Sequence, residues 1–457
     1  MVKAIGAFGS GYELPSIDKL SDSFLSKEKA RIEKSVALVR ESWPHTGCTI
    51  LCTGRLDGAS GIVHVNIFIS SPRGLVFLKA VDVNDTDEGE HVFTGALADT
   101  IMEVGPTNVL QIVSHLGDAC KSSESYVSSK FPNIFWSPCT SHAVFMLMEE
   151  MAELEWIKPV VLCAKAIEQC MITYQHTSSD TFSQDLKEFS DPISAKFAPS
   201  YCFLRRVFEL RQSLQDVVVS EDWKQWKNNI AEDVFITGGF RHLKALRSQA
   251  IDDDILNQLE GLIENRWDVL FSPLHAAGYL LNPRYIGKGQ TKDKSVMRGW
   301  KATLERYESE STARCVLREQ LSSYWRLEGS LGEEDAVDCR DKMDPVAWWE
   351  NFGFETPNLQ TLAIKVLSQV SSVAVCEEIW QASDFSCRES ANRLGVQRME
   401  DLFFVRNNLR LHGQRNGNPC FSSGQRNAFP SSFSGIKTWD SAHLDQSNTM
   451  VDVHEKL

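Results

Sequence analysis

The tetrapeptide Ser71-Pro72-Arg73-Gly74 sits between two apolar runs, "IVHVNIFIS" (62–70) and "GLVFLKAVDV" (74–83). A tight Pro/Gly turn between two β-branched runs leaves few options other than an antiparallel hairpin. A third run, "CTILC" (48–52), precedes the hairpin, and "LSKEKARIEKSVALVRE" (25–41) reads as a helix with Ile32, Val36 and Val39 on one face. After the hairpin the pattern alternates. An acidic loop leads into a helix near 91–104, then come a strand "NVLQIVSH" (108–115), a helix near 118–130 and a short strand "NIFWSPC" (133–139). Antiparallel strands followed by α/β crossovers predict a mixed sheet covered by helices.

From about 140 to 340 the pattern becomes helix after helix. In "DDDILNQLEGLIENRWDVLF" the aspartates suit an N-terminus, and Leu256, Leu259, Ile263 and Trp267 share a face. Residues 327–342 are acidic and turn-rich and are expected to be exposed. Residues 344–413 are again apolar and helical. Beyond Gln414 the chain turns to Ser, Asn, Gly and Gln, a composition expected to stay disordered. The domain expectation is a helical lead-in (1–45), a first part of the α/β core (46–150), a helical insertion (151–343), a segment completing the core (344–413) and a tail (414–457).

Composition narrows the function. With 47 basic and 61 acidic residues the net charge is −14, whereas unaided nucleic-acid binders carry a basic face. The twelve cysteines show no zinc-finger spacing. Cys48 and Cys52 would share one face of a strand, and reduced thiols in a cytosolic or nuclear protein are expected. The N-terminus has no apolar signal region, and no run of about 18 apolar residues predicts a membrane span.

Six collinear stretches carry a family likeness: "SWPHTGCTIL", "FISSPRGLVFLKAVD", "FPNIFWSPCTSHAVFMLMEEM", "RWDVLFSPLHAAGYLLNPRY", "DPVAWWENFGFETPNLQTLAIKVLSQ" and "RMEDLFFVRNNLRL". Through them the chain resembles plant members of the hAT transposase superfamily. These pair a domain of unknown function with a C-terminal dimerisation region. The resemblance implies a ribonuclease H-like core, β-β-β-α-β-α-β, interrupted by a large all-α insertion. It also implies three carboxylates holding two divalent ions, which activate the attacking oxygen and stabilise the leaving one.

Two of those three carboxylates are missing. The family's first strand ends in Asp-Gly-Trp or Asp-Glu-Trp, and here the match is Thr53-Gly54-Arg55. Its fourth strand ends in Thr-Asp-Asn, and here the match is Ser114-His115-Leu116. The third position is kept, since "SSVAVCEEIW" places the carboxylate at Glu377. Asp57 and Asp118 are near in sequence, but three or four residues along a strand is on the order of 10 Å. A hydroxyl and one imidazole do not make a magnesium site. His115 suits a softer metal, but a lone histidine at a strand end is more often packed or solvated. No metal and no cofactor are therefore expected, and no transposase catalysis. The resemblance further implies that the strands at 48–53 and 108–115 lie side by side and parallel, with the Glu377 helix against the same end.

Other family motifs have bland readings beside the functional ones. Cys139-x2-His142 is half a zinc site, or a strand-to-helix junction; no second pair stands in reach, so the junction is preferred. Arg266-Trp267 suits stacking on a base or phosphate, or core packing. Trp348 and Trp349 open the dimerisation region, with Leu359, Leu362, Val366 and Leu367 in the stripe that follows. They are expected as interface anchors, with part of that surface packing within the chain. The chain begins inside the shared domain, so a zinc-binding BED finger is expected to be absent. The expected function is that of a domesticated or decayed hAT transposase-like nuclear protein. It would act as a homodimer or as a heterodimer with relatives, with DNA binding weak and salt-sensitive. The alternatives are a residual metal-dependent nuclease, and a DNA-binding regulator whose finger lies outside this sequence.

Overall fold

The computed structural model describes residues 16, 19–56, 62–84, 87–114, 121–177, 199–221, 223, 253–377 and 395–417. Five strands form one sheet: β1 (Cys48–Leu56), β2 (Ile62–Ser71), β3 (Gly74–Asn84), β4 (Val109–Ser114) and β5 (Phe135–Pro138). Their spatial order is β3-β2-β1-β4-β5. β2 runs antiparallel to β1 and β3, and β1, β4 and β5 are mutually parallel. The expected neighbourhood of the first and fourth strands is thus present, with Leu51 opposite Val113 and Cys52 opposite Ser114.

The hairpin closes where expected, Ser71 pairing with Gly74. Gly74 sits at φ 140°, a conformation that costs a side chain dearly and glycine little. Side chains alternate across β1. Cys48, Ile50 and Cys52 turn to one face, Thr49, Leu51 and Thr53 to the other. Before the sheet lies α1 (Leu25–Arg40), and α2 (Asp87–Val104) follows β3. On the first face Phe93, Leu97 and Ile101 of α2, one turn apart, pack on Cys48, Ile50, Cys52, Val65 and Ile67. α3 (Lys121–Lys130) leads into β5. The described cysteines, Cys48 and Cys52 among them, are free thiols.

Next come α4 (Thr140–Ala152), α5 (Lys158–Thr177), α6 (Pro199–Glu209), α7 (Arg211–Val219) and α8 (Asp253–Leu270). Met171, Tyr174, Leu214 and Trp223 make a small separate cluster here. On α8 the expected apolar face is incomplete, because Leu256 is exposed. Further helices are α9 (Pro273–Leu281), α10 (Lys294–Tyr307), α11 (Ser311–Arg326), α12 (Pro345–Phe352), α13 (Pro357–Leu367), α14 (Ala374–Glu377) and α15 (Val396–Gly417), besides short turns of helix at Trp43–Thr46 and Glu334–Cys339. The sheet is not split by these helices. No helix among the described residues is long and apolar enough to cross a membrane.

Helices α9–α13 share one apolar core around Tyr324, Trp348 and Trp349, which reaches the sheet at Leu110 and Phe135. No break in packing falls at 344, where a boundary between insertion and C-terminal segment was expected. Residues 327–342 also depart from expectation. Leu331 and Ala336 are fully buried in this core. Ala336 lends its carbonyl to the Trp348 indole (2.8 Å), and Ser330 donates its hydroxyl to the Phe352 carbonyl (2.7 Å). The acidic side chains face outward while the small and apolar ones close over the tryptophans. The expected tail from 414 onward falls, beyond Gly417, outside the described residues.

The edge strand β3 is covered by α1 and α15. Ile32, Val36 and Val39 of α1 meet Val76 and Phe404, and Lys29 donates to the Asp401 carboxylate at 2.7 Å. Asn408 of α15 makes both backbone hydrogen bonds that a further strand would make: Phe77 N–H donates to its Oδ1 (3.1 Å), and its Nδ2 donates to Phe77 O (2.9 Å). An open edge is a template for pairing with other chains, so this amide closes it. Asn408→Ala removes both bonds inside a buried contact. It is expected to lower unfolding free energy by about 2–3 kcal/mol and to raise the aggregation rate on mild heating, measured by chemical denaturation and light scattering.

Candidate functional site

The carboxyl ends of β1, β4 and β5 lie together, the usual place for a site in an open parallel sheet. Thr53 is one residue past the last described rung, Cys52–Ser114, and is paired across β2 with Asn66. Its side chain shares a face with Leu51 and is 3% exposed. The next residue along β4, His115, lies outside the described residues, as do Asp57 and Asp118. Cys139, just past β5, donates its N–H to Ser114 O (3.0 Å) and so sits at the same end of the sheet.

The chain returns to this end from 320 residues away. Val373 and Cys376 pack with Leu51, Val113 and Cys139, which places α14, the helix that carries Glu377, over β1. The side chain of Glu377 lies outside the described residues. Residues 369–373 cross the Thr49–Thr53 face of the sheet along a polar seam, from the amino end of β1 at Thr46 and Thr49 to Cys139 past β5. Thr49 donates to Gln369 Oε1 (2.8 Å), and Gln369 Nε2 donates to Thr46 O (2.9 Å). Gln111 Nε2 donates to Val370 O and to the Thr49 hydroxyl (3.3 Å). Ser137 bonds to Gln111 Oε1 (3.3 Å) and to the Ser272 hydroxyl (3.1 Å). Beside it, Thr140 N–H donates to Ser371 O (2.9 Å), the Ser141 and Ser372 hydroxyls meet at 2.6 Å, and Val373 N–H points at the Cys139 sulfur (3.4 Å).

These contacts give Cys139 a structural place. It is a buried thiol at a strand-to-helix junction, accepting a backbone N–H. His142, one turn into α4, stacks near Phe145 (ring centroids 5.8 Å apart). Burial, and then the nearby Arg266 charge, hold its pKa below the usual histidine value. Arg266 reaches from α8 to both oxygens of Glu150 on α4, with Nε–Oε2 at 3.2 Å. That pairing, more than any other effect, holds the guanidinium protonated and engages the fork a phosphate would otherwise bind. The Trp267 side chain lies outside the described residues. Among the described residues no group of three or more His, Cys, Asp or Glu stands ready to hold a metal.

The structure brings Thr53, Cys139 and the Glu377 helix to one end of one sheet. It separates Trp348 and Trp349 from any interface. Both are fully buried within the chain, their indoles donating to Ala336 O and Leu281 O at 2.8 Å. Leu359, Leu362 and Val366 are buried in the same cluster, and Leu367 packs against it. The expectation that the tryptophans anchor a partner is corrected by this packing, because a side chain closed on all sides within one chain offers a second chain nothing.

Two features escaped sequence reading. One is the seam, whose only sign was a glutamine in the middle of the apolar strand "NVLQIVSH". The other is a pair on the Thr53 face of the sheet, His64 Nδ1 lying 2.7 Å from Asp82 Oδ1; it spans two strands and leaves no local signature.

Two family matches now apply. Residues 15–167 match a domain of unknown function (DUF659), and residues 304–409 match the hAT family C-terminal dimerisation region. The chain belongs to the hAT family of transposase-like proteins. The dimerisation match starts at 304, within α10, rather than at the expected 344, which agrees with the shared core of α9–α13. No match was found among curated proteins. In this hAT-family chain the two matched regions meet at the seam and form one body.

Replacing Gln111 by Leu would strand Val370 O and take one of two hydrogen bonds from each of Thr49 and Ser137, which keep Gln369 and Ser272. A loss of about 1–3 kcal/mol is expected, the cost of one unsatisfied buried group; urea denaturation measures it. A pH effect follows from His142 and His275. Burial depresses the pKa of both, and the His275 Nε2 is buried without a partner among the described residues. Below the ordinary value of 6.5 the unfolded chain takes up protons that the folded chain refuses. Stability contributed above pH 6.5 is therefore lost progressively as pH falls below 6.5 through the depressed folded values. The melting temperature is expected to drop over that window, and less steeply in His275→Asn, by scanning calorimetry at half-unit steps.

Proposed function

We propose that this hAT-family chain is a domesticated transposase-like protein of the nucleus with a ribonuclease H-like core. It acts by associating with a second copy or a related chain, without cleaving or joining DNA. The strand order β3-β2-β1-β4-β5, with β2 alone antiparallel, supports the ribonuclease H-like reading. The match to a dimerisation region supports association.

The observation that carries the loss of catalysis is Thr53. Two-metal phosphoryl transfer needs anionic oxygen converging on the ions from the end of the first strand. That position holds a neutral hydroxyl, nearly enclosed and opposite the amide of Asn66. Hydroxyl and amide are poor donors for a pair of hard dications, so these two side chains do not fit a two-metal site. What the residues of this end do is structural: the Thr140–Ser371 and Ser141–Ser372 contacts hold the dimerisation region on the sheet.

The test is an end-nicking and joining assay on transposon-end duplexes in Mg2+ or Mn2+, using the full chain. No product is expected, and metal-dependent nicking abolished by Glu377→Gln would overturn the reading. The same protein carrying Thr53→Asp and His115→Asp provides the converse. A carboxylate buried at 53 without a counter-ion is expected to cost about 2–4 kcal/mol. Mn2+ is expected to restore part of that loss, seen as a metal-dependent rise in melting temperature that the wild type lacks.

A further inference from the structure

With the tryptophan stripe closed inside the chain, the surface that meets a second copy must lie elsewhere in 304–409. The exposed large apolar side chains described in that region are Val316, Val337, Phe354, Val375 and Leu409. Phe354 stands out as the sole aromatic among them, 59% exposed. It sits in the turn joining α12 to α13, and that turn is pinned on every side. Gly353 N–H donates to Trp349 O (2.9 Å), Thr356 N–H donates to Gly353 O (2.9 Å), and Gln360 Nε2 donates to Trp349 O (2.8 Å). Glu355 accepts from Ser330 N–H at 2.9 Å. A Cβ at Gly353 would lie 2.7 Å from the Trp349 ring, so glycine alone lets the chain turn so tightly on the tryptophan core. The turn thus holds a large apolar ring in water with little freedom left to lose.

We propose that Phe354 is the anchor through which a second copy of this chain docks. The proposal rests on the reading that the chain dimerises. A rigid aromatic held out of a well-packed core binds at a low cost in conformational entropy, which is how anchor residues behave. The elements carrying Val316 and Val337 are both fastened to the same hairpin. On α11, Gln320 accepts from Leu359 N–H (2.8 Å), one turn from Val316, and Ala336, next to Val337, accepts from Trp348. They supply further exposed apolar surface on elements fastened to the two helices that the turn joins. A closed dimer uses the same patch twice, so the exposed phenylalanine described within each chain's dimerisation match places a pair of rings at the interface.

The experiment is sedimentation velocity of the full chain over a hundredfold concentration range, comparing wild type with Phe354→Ala, Phe354→Glu and the control Phe208→Glu. Phe208 is more exposed than Phe354 but lies outside the dimerisation match. A dimeric wild type, an about 30-fold weaker dimer in Phe354→Ala, a monomeric Phe354→Glu and an unaffected Phe208→Glu are expected. Far-ultraviolet dichroism and melting temperatures should be unchanged throughout, since an exposed ring contributes little to the fold. A wild type and a Phe354→Glu that dimerise equally would overturn the anchor and leave dimerisation standing. A wild type that is monomeric at every concentration would overturn the dimerisation reading itself.

Discussion

The carboxamide of Gln111 is the contact on which the rest of the structure depends. It lies in the middle strand of the parallel half of the sheet, where an aliphatic side chain would be the ordinary choice. Its two ends reach Thr49 on β1, Ser137 on β5 and the backbone of Val370. Each such bond is worth about 1 kcal/mol net, but each broken one leaves a buried polar group that costs more. The seam therefore discriminates more than it stabilises. An apolar contact tolerates sliding by a residue, whereas these donors and acceptors match in one register only. Chain separated by more than 250 residues is held in that register.

This changes what the dimerisation region is in this protein. It is not an appendage that folds alone and pairs. Residues 369–373 cross one face of the parallel strands, α14 covers β1 and α15 closes the β3 edge through Asn408. The apolar stripe at 357–367 is used up inside the chain. What remains for a second copy is what the internal packing leaves in water, and that is a smaller and different set of residues from the one the apolar pattern suggests.

That difference also marks how far the sequence could be read. The five strands, the hairpin turn and α1 were legible because their signals are local: period-two alternation, Pro-Gly at a turn, one apolar face per helix. The placement of Cys139 and of the Glu377 helix was legible only through family resemblance, since nothing local ties residue 53 to residue 377. The tryptophans misled because burial within a chain and burial between chains demand the same residues. The acidic stretch at 327–342 misled because its composition averages over Leu331 and Ala336, the two side chains that face the core. Gln111 and Asn408 were invisible for the opposite reason. A single amide has no period, and its meaning comes from partners far away in sequence.

The proposed loss of catalysis has a physical logic of its own. A metal site holds its carboxylates charged at the end of a sheet, largely out of water, and the ions offset that desolvation. If one ligand mutates and the ions leave, the others become like charges with no counter-ion, each now destabilising. Replacement of those by neutral groups is then favoured by folding stability alone. Thr53, buried and paired in register with Asn66, is a neutral side chain of this kind. On this account the first-strand and fourth-strand acids are lost together, because each carboxylate left behind destabilises the sheet end that holds it.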